Sequence, residues 1–312
     1  MLEILPNVMP VLLLIGLGYF FKAMGVIKSN NLDEIKKILL NISLPSLLFL
    51  NFKTMDLKLE YIGLTLIIFC FFALLFLLGQ AINRIKPLYN PILPYLLPNF
   101  AFGTLGVPLF LSIFGIENLS NFTILSIGHE FFVWFVLIVL IKKKFSDEGF
   151  SINTLKEFIK NPFILAVVFG LLINITGFNR IISTNPILLG IEKFLESLST
   201  ILTPLILIIV GYDMKLNKKY IKESGKILAI RMALILIIGY ILKFVFIDRI
   251  LVADKIFDYA WFTYLILPPS IAIALMIGSY STEENKDIAA NTVVLGTIVN
   301  VIVYVSFVLA CL

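Results

Sequence analysis

The sequence predicts an all-α polytopic membrane protein of ten transmembrane helices in two inverted five-helix repeats, with broken, crossing helices at spans four and nine. Three observations lead there. Of the 312 residues 60% are hydrophobic and only 14% charged, and the mean hydropathy is +1.02, outside the range of soluble globular domains. Ten apolar runs succeed one another along the chain. Two of them, in corresponding places of the two halves, are interrupted by proline, the pattern that points to a carrier's binding site.

The runs fall at about 4–21, 38–52, 61–82, 92–114, 122–141, 162–178, 194–212, 227–247, 260–280 and 291–311. The second is short, and its amphipathic lead-in Leu32-Asp33-Glu34-Ile35-Lys36-Lys37 extends it along a membrane surface. The first reads as a retained span rather than a cleaved leader, because its first basic residue, Lys22, follows the apolar run. With the N-terminus outside, the inner loops carry seventeen basic residues and the outer loops seven. The positive-inside rule therefore predicts a multi-pass protein of the cell membrane with both termini outside.

The longest polar connector, Lys142 to Asn161, divides the chain into a first repeat (1–141), a cytoplasmic connector (142–161) and a second repeat (162–312). Five spans per half make the second half enter from the opposite side, so any duplication is inverted. Spans two and seven carry matched prolines, Leu44-Pro45-Ser46-Leu47 and Thr203-Pro204-Leu205-Ile206, and spans four and nine carry the interruptions.

Span four contains Pro98-Asn99-Phe100-Ala101-Phe102-Gly103-Thr104-Leu105-Gly106-Val107-Pro108, and span nine contains Pro268-Pro269-Ser270. Proline removes a backbone donor and clashes with the preceding turn. In hydrocarbon the freed groups must be satisfied by protein or by a water-filled cavity. Half-helices ending at the midplane aim free N–H groups and partial positive charge inward, which suits a carboxylate. The candidate substrate-binding set is Asn99, Gly103, Gly106, Pro108, Pro268, Pro269 and Ser270. Asn99 and Ser270 supply donors and acceptors, and the glycines permit close approach. The alternative is that Asn99 and Ser270 only satisfy backbone left unpaired by the prolines.

His129 and Glu130 lie near the centre of span five, where ionisable groups are functional candidates by default. His129 is the chain's one histidine. One or both are candidates to carry a coupling proton, or the pair is a fixed polar bridge between helices. As neighbours they point about 100° apart, so both cannot face one narrow site. Arg231, one turn inside span eight, reads as a snorkelling side chain. Asp213 reads as a cap or interfacial residue, and Asn41 and Asn300 as interhelical hydrogen-bonding residues. Phosphate loops, catalytic triads and Cys/His metal spacings are missing from the sequence, and Cys70 and Cys311 both sit in apolar runs. Neither an enzyme, a metal nor a cofactor is predicted, and the net charge of +5 is assigned to cytoplasmic loops rather than to nucleic acid.

The Asn99, Gly103, Gly106-Val107-Pro108-Leu109 pattern resembles span four of the auxin efflux carrier family, which includes plant PIN carriers and prokaryotic malate-permease-like members. Ile42-Ser43-Leu44-Pro45-Ser46-Leu47, Asn161-Pro162-Phe163 with Gly170, Thr203-Pro204-Leu205 with Gly211, and Pro268-Pro269-Ser270 with Tyr280 are similar too. The resemblance implies an NhaA-like fold. Spans one, two, six and seven would form a dimerising scaffold, and spans three to five and eight to ten a moving transport unit. It also implies organic-anion cargo, such as indole acids or dicarboxylates. The long cytoplasmic loop of many plant members is missing, and His129-Glu130 belongs to no pattern of the family.

The expected function is a secondary carrier of a small organic anion across the bilayer by alternating access, with a proton or sodium as coupling ion and a homodimer as the assembly. The alternatives are a sodium-coupled carrier of the bile-acid or antiporter type, and a membrane receptor that binds without transport.

Overall fold

The computed structural model describes residues 5–27, 29–146, 152–251 and 254–311. These are helical almost throughout, with no strand among the described residues. The helices are α1 (Leu5–Ala23), α2 (Leu32–Phe52), α3 (Glu60–Ile82), α4 (Leu93–Leu96), α5 (Phe102–Phe114) and α6 (Leu119–Phe145). They continue as α7 (Pro162–Thr176), α8 (Pro186–Asp213), α9 (Lys218–Ile250), α10 (Lys255–Ile266), α11 (Ile271–Tyr280) and α12 (Glu283–Cys311). Seven segments are long and apolar enough to cross a membrane: α2, α3, α6, α8, α9, the stretch Lys255–Tyr280 holding α10 and α11, and α12. Three shorter apolar helices accompany them: Val8–Ala23, Phe102–Phe114 and Pro162–Thr176. The predicted connector begins later than expected, because Lys142 to Phe145 continue α6; residues 147–151 lie outside the described residues, and a short helix, Ile152–Lys160, leads into α7.

Several helices outrun their apolar runs. α8 begins at Pro186 because the Asn185 side chain accepts the N–H groups of Ile187 and Leu188, and proline suits the first turn. Glu192, in the polar part of α8, pairs with buried Lys53 at the end of α2. Wide π turns, Leu39–Ser43 and Phe102–Gly106, immediately precede the segments carrying Pro45 and Pro108. A widened turn accommodates a proline that cannot donate to the preceding turn.

Small residues set the helix contacts, as is usual where lipid competes equally for apolar side chains. Helix α1 lies on α8 so closely that a Cβ on Gly18 would strike the Ile208 carbonyl, and one on Gly211 the Ile15 carbonyl. Gly170 seats α7 on Phe49, Phe52 and Lys53 of α2, and Gly128 seats α6 on Thr65 and Ile68 of α3. Helix α8 packs with α1 and with α2, and α2 with α7, while α3 packs with α6 and α9 with α12. Gly211→Ala is expected to cost about 1–3 kcal/mol or more, the usual penalty for overpacking. A lowered thermal midpoint in detergent would report it; an unchanged midpoint would show that α1 and α8 separate freely.

Candidate functional site

The chain leaves helix between Leu96 and Phe102 and again between Ile266 and Ile271. The two irregular stretches meet. The Ala101 N–H donates to the Pro268 carbonyl at 2.9 Å. Fully buried Asn99 accepts the Ser270 N–H on Oδ1 at 2.6 Å and donates through Nδ2 to the Tyr95 carbonyl at 2.6 Å. One amide thus serves a donor from the second stretch and an acceptor in α4, the helix that leads into the first. Beyond it, the Ser270 hydroxyl caps α11 by accepting the Ala272 N–H at 3.3 Å.

Arg231 completes the junction, which corrects the snorkelling expectation. Its side chain is fully buried rather than drawn out to the interface. Nε donates to the Leu96 carbonyl at 3.1 Å, Nη1 to Leu267 at 2.6 Å and Nη2 to Asn99 at 2.7 Å. The guanidinium lies 4.8 Å from the Phe100 ring centroid, a cation–π distance. Carbonyls freed where two helices stop are satisfied by one rigid fork of donors. Asn300 adds a bond to the Ile266 carbonyl at 3.1 Å, and Tyr304 reaches the Leu109 carbonyl at 2.9 Å.

His129 enters from α6. Its Nε2 accepts the Phe100 N–H at 3.2 Å, and its ring lies 4.8 Å from that of Phe72 and 5.9 Å from that of Phe100. Nδ1 is 3.3 Å from Glu130 Oε1 but out of line for a hydrogen bond, and is left without a partner.

A cavity of about 290 Å³ opens beside the junction. Asn99, Gly103, Ser270, His129 and Glu130 all line it, together with Asn41, Thr104 and Asn161 and the apolar side chains of Phe102, Trp134, Phe163 and Met276. His129 and Glu130 border the same space despite the angle between them, because the cavity runs along α6 as far as Ile138 instead of forming a narrow slot. The other predicted residues stand behind its wall. Gly106 makes room for Leu267 and Phe122, Pro108 opens the helical part of α5, and Pro268 and Pro269 pack against Gly296 of α12. A smaller cavity of about 90 Å³ shares Leu40, Ala101 and Thr104 with the first and ends at the Lys36–Asp213 ion pair, 2.7 Å long. A third, lined by Lys156, Glu157 and Lys160, shares Asn41 and Asn161 with the main one.

Arg231 and Thr104 are among the polar residues of the site that the sequence alone does not place here. An arginine inside an apolar span is signal enough for the first; the second lies within the Pro98–Pro108 interruption, which marks the stretch without singling out that residue.

No family model matches the sequence. Over 216 residues the chain is 30% identical to the uncharacterized transporter MJ1031 of Methanocaldococcus jannaschii, covering 66% of this chain and 68% of that protein. With its succession of apolar helices, the chain is a multi-pass helical membrane protein, and it belongs to the family of that transporter.

Proposed function

We propose that this protein is a secondary carrier that moves a small organic anion across the cytoplasmic membrane by alternating access at the junction of the two helix breaks. The observation that carries this reading is the cavity at which Asn99, Ser270 and the first turn of α11 converge. The N-terminus of α11 borders it with Ser270, Ala272 and Ile273, and helix N-termini attract negative charge. The relative's description as a transporter supports the same reading. In this proposal the ten spans form two inverted repeats of the auxin efflux carrier type, with α1, α2, α7 and α8 as a dimerising scaffold and the remainder as the moving unit. The cavity adjoins the face bearing Lys156 and Lys160, and with that face inside, as the count of basic residues predicts, the conformation is inward-facing in this proposal.

Proteoliposomes test the reading. Accelerated exchange of a labelled carboxylate, in a panel of mono- and dicarboxylates, is expected when unlabelled anion is loaded inside. Binding without exchange would indicate a receptor, and no response to any organic anion would overturn the substrate class. Replacing sodium with choline separates the sodium-coupled alternative. Sodium independence is expected, because Arg231 already occupies three junction carbonyls of the kind that hard cations coordinate.

A further inference from the structure

We propose that His129 is the point at which one proton enters the transport cycle, and that protonating it converts a sealed stretch of the junction into donors for the anion. This rests on the anion-carrier reading above.

A neutral imidazole offers one donor and one acceptor. Since Nε2 accepts the Phe100 N–H, the ring proton of the neutral form sits on Nδ1, which is 3.3 Å from Glu130 Oε1 but not aligned with it. Nδ1 is buried and has no hydrogen-bond partner, although the residue borders a cavity that also touches Asn99 and Ser270. A polar atom left unpaired at such a wall requires a reason. The ring is packed against Phe72 and Phe100.

The groups around it are few. Glu130 lies on the same helix; α10 presents Tyr264, whose ring meets those of Phe72 and Phe100. Helix α9 presents Arg231, on the Phe100 ring, and α3 presents the phenyl ring of Phe72. The first break contributes the Asn99 amide, which is neutral. The imidazolium therefore has one carboxylate beside it and one guanidinium beyond the Phe100 ring.

A proton arriving from the cavity binds the Nε2 lone pair. The Phe100 N–H then faces an N–H, its hydrogen bond is lost, and both become donors without a protein acceptor. An anion's oxygens supply one. No covalent bond breaks, and the incoming proton and a monovalent anion together leave the charge of the site unchanged. By linkage, whatever the proton gains for the anion, the anion gains for the proton.

Because His129 is the single histidine, protein labelled with [15N]histidine and purified through a histidine-free tag has one imidazole to observe by NMR in lipid vesicles. The ligand-free neutral ring is expected as the Nδ1–H tautomer. Benzoate, a monocarboxylate with an apolar body, serves as the anion probe, with its binding measured separately by equilibrium dialysis. Bound benzoate is expected to move the protonation midpoint upward. Its affinity should strengthen by up to about tenfold per pH unit of acidification, the slope of one linked proton. In His129→Gln benzoate binding should lose its pH dependence. An Nε2–H tautomer, or benzoate binding that leaves the imidazole titration unmoved, would overturn the proton site while sparing the anion site. Absence of benzoate binding at every pH, with other carboxylates also silent, would overturn both.

Discussion

Arg231→Ala is expected to abolish uptake and to destabilise the protein by several kcal/mol. The side chain is fully buried and donates to three carbonyls, at Leu96, Asn99 and Leu267. Each buried acceptor stripped of its partner costs about 1–3 kcal/mol, and a membrane interior offers no water to replace it. The loss falls on the two stretches that must keep their relative position. Arg231→Lys is the discriminating variant. It retains charge but replaces a planar fork of five N–H groups by a compact ammonium on a shorter reach. It is therefore expected to recover part of the stability and little of the uptake, since three carbonyls from two directions need the fork. Thermal unfolding followed by size-exclusion chromatography, alongside proteoliposome uptake, reads both effects. Wild-type stability in Arg231→Ala would mean that the carbonyls find other donors, and that the guanidinium does not hold the junction.

Much of this architecture was legible because hydrophobic length is a property of the chain in one dimension. The prolines near positions 98, 108 and 268 mark where helix fails, and each lies beside an irregular stretch or a widened turn. Helix ends were less legible. The apolar run before Asp213 starts near residue 194, yet Asn185 and Pro186 start the helix earlier and carry Glu192 to Lys53, an ion pair with a residue more than a hundred positions away. The burial of Arg231 is hidden from the sequence for the same reason. Whether a long cation reaches for the interface or stays inside depends on what lies opposite, and its partners are 36 to 135 residues distant. The Phe100–His129 bond spans 29 residues, so position in the span singled out the histidine but could not assign its acceptor role.

Asn99→Ala is expected to reduce uptake by about a hundredfold while Ser270→Ala costs tenfold or less, although both residues line the same cavity. The difference follows from which atoms are used. Asn99 employs its side chain twice, accepting the Ser270 N–H and donating to the Tyr95 carbonyl. Alanine leaves both backbone groups unpaired in a fully buried place, at about 1–3 kcal/mol each. A loss of roughly 3 kcal/mol in the transport barrier corresponds to about two powers of ten. Ser270 contributes its backbone N–H to that contact and uses its hydroxyl only to cap α11. Ser270→Ala therefore keeps the junction and loses a helix cap, typically worth about 1 kcal/mol. Asn99→Asp adds a sharper test. It retains an acceptor for Ser270, loses the donor to Tyr95, and places a carboxylate where the anion is proposed to bind. If the junction serves only to hold the helices together, Asn99→Asp should resemble or outperform Asn99→Ala, since a carboxylate near Arg231 is electrostatically favoured there. If the junction receives an anion, Asn99→Asp should be the more damaging of the two for uptake while being the better folded. Opposite rankings of stability and transport in the same pair of variants separate binding an anion from holding the fold.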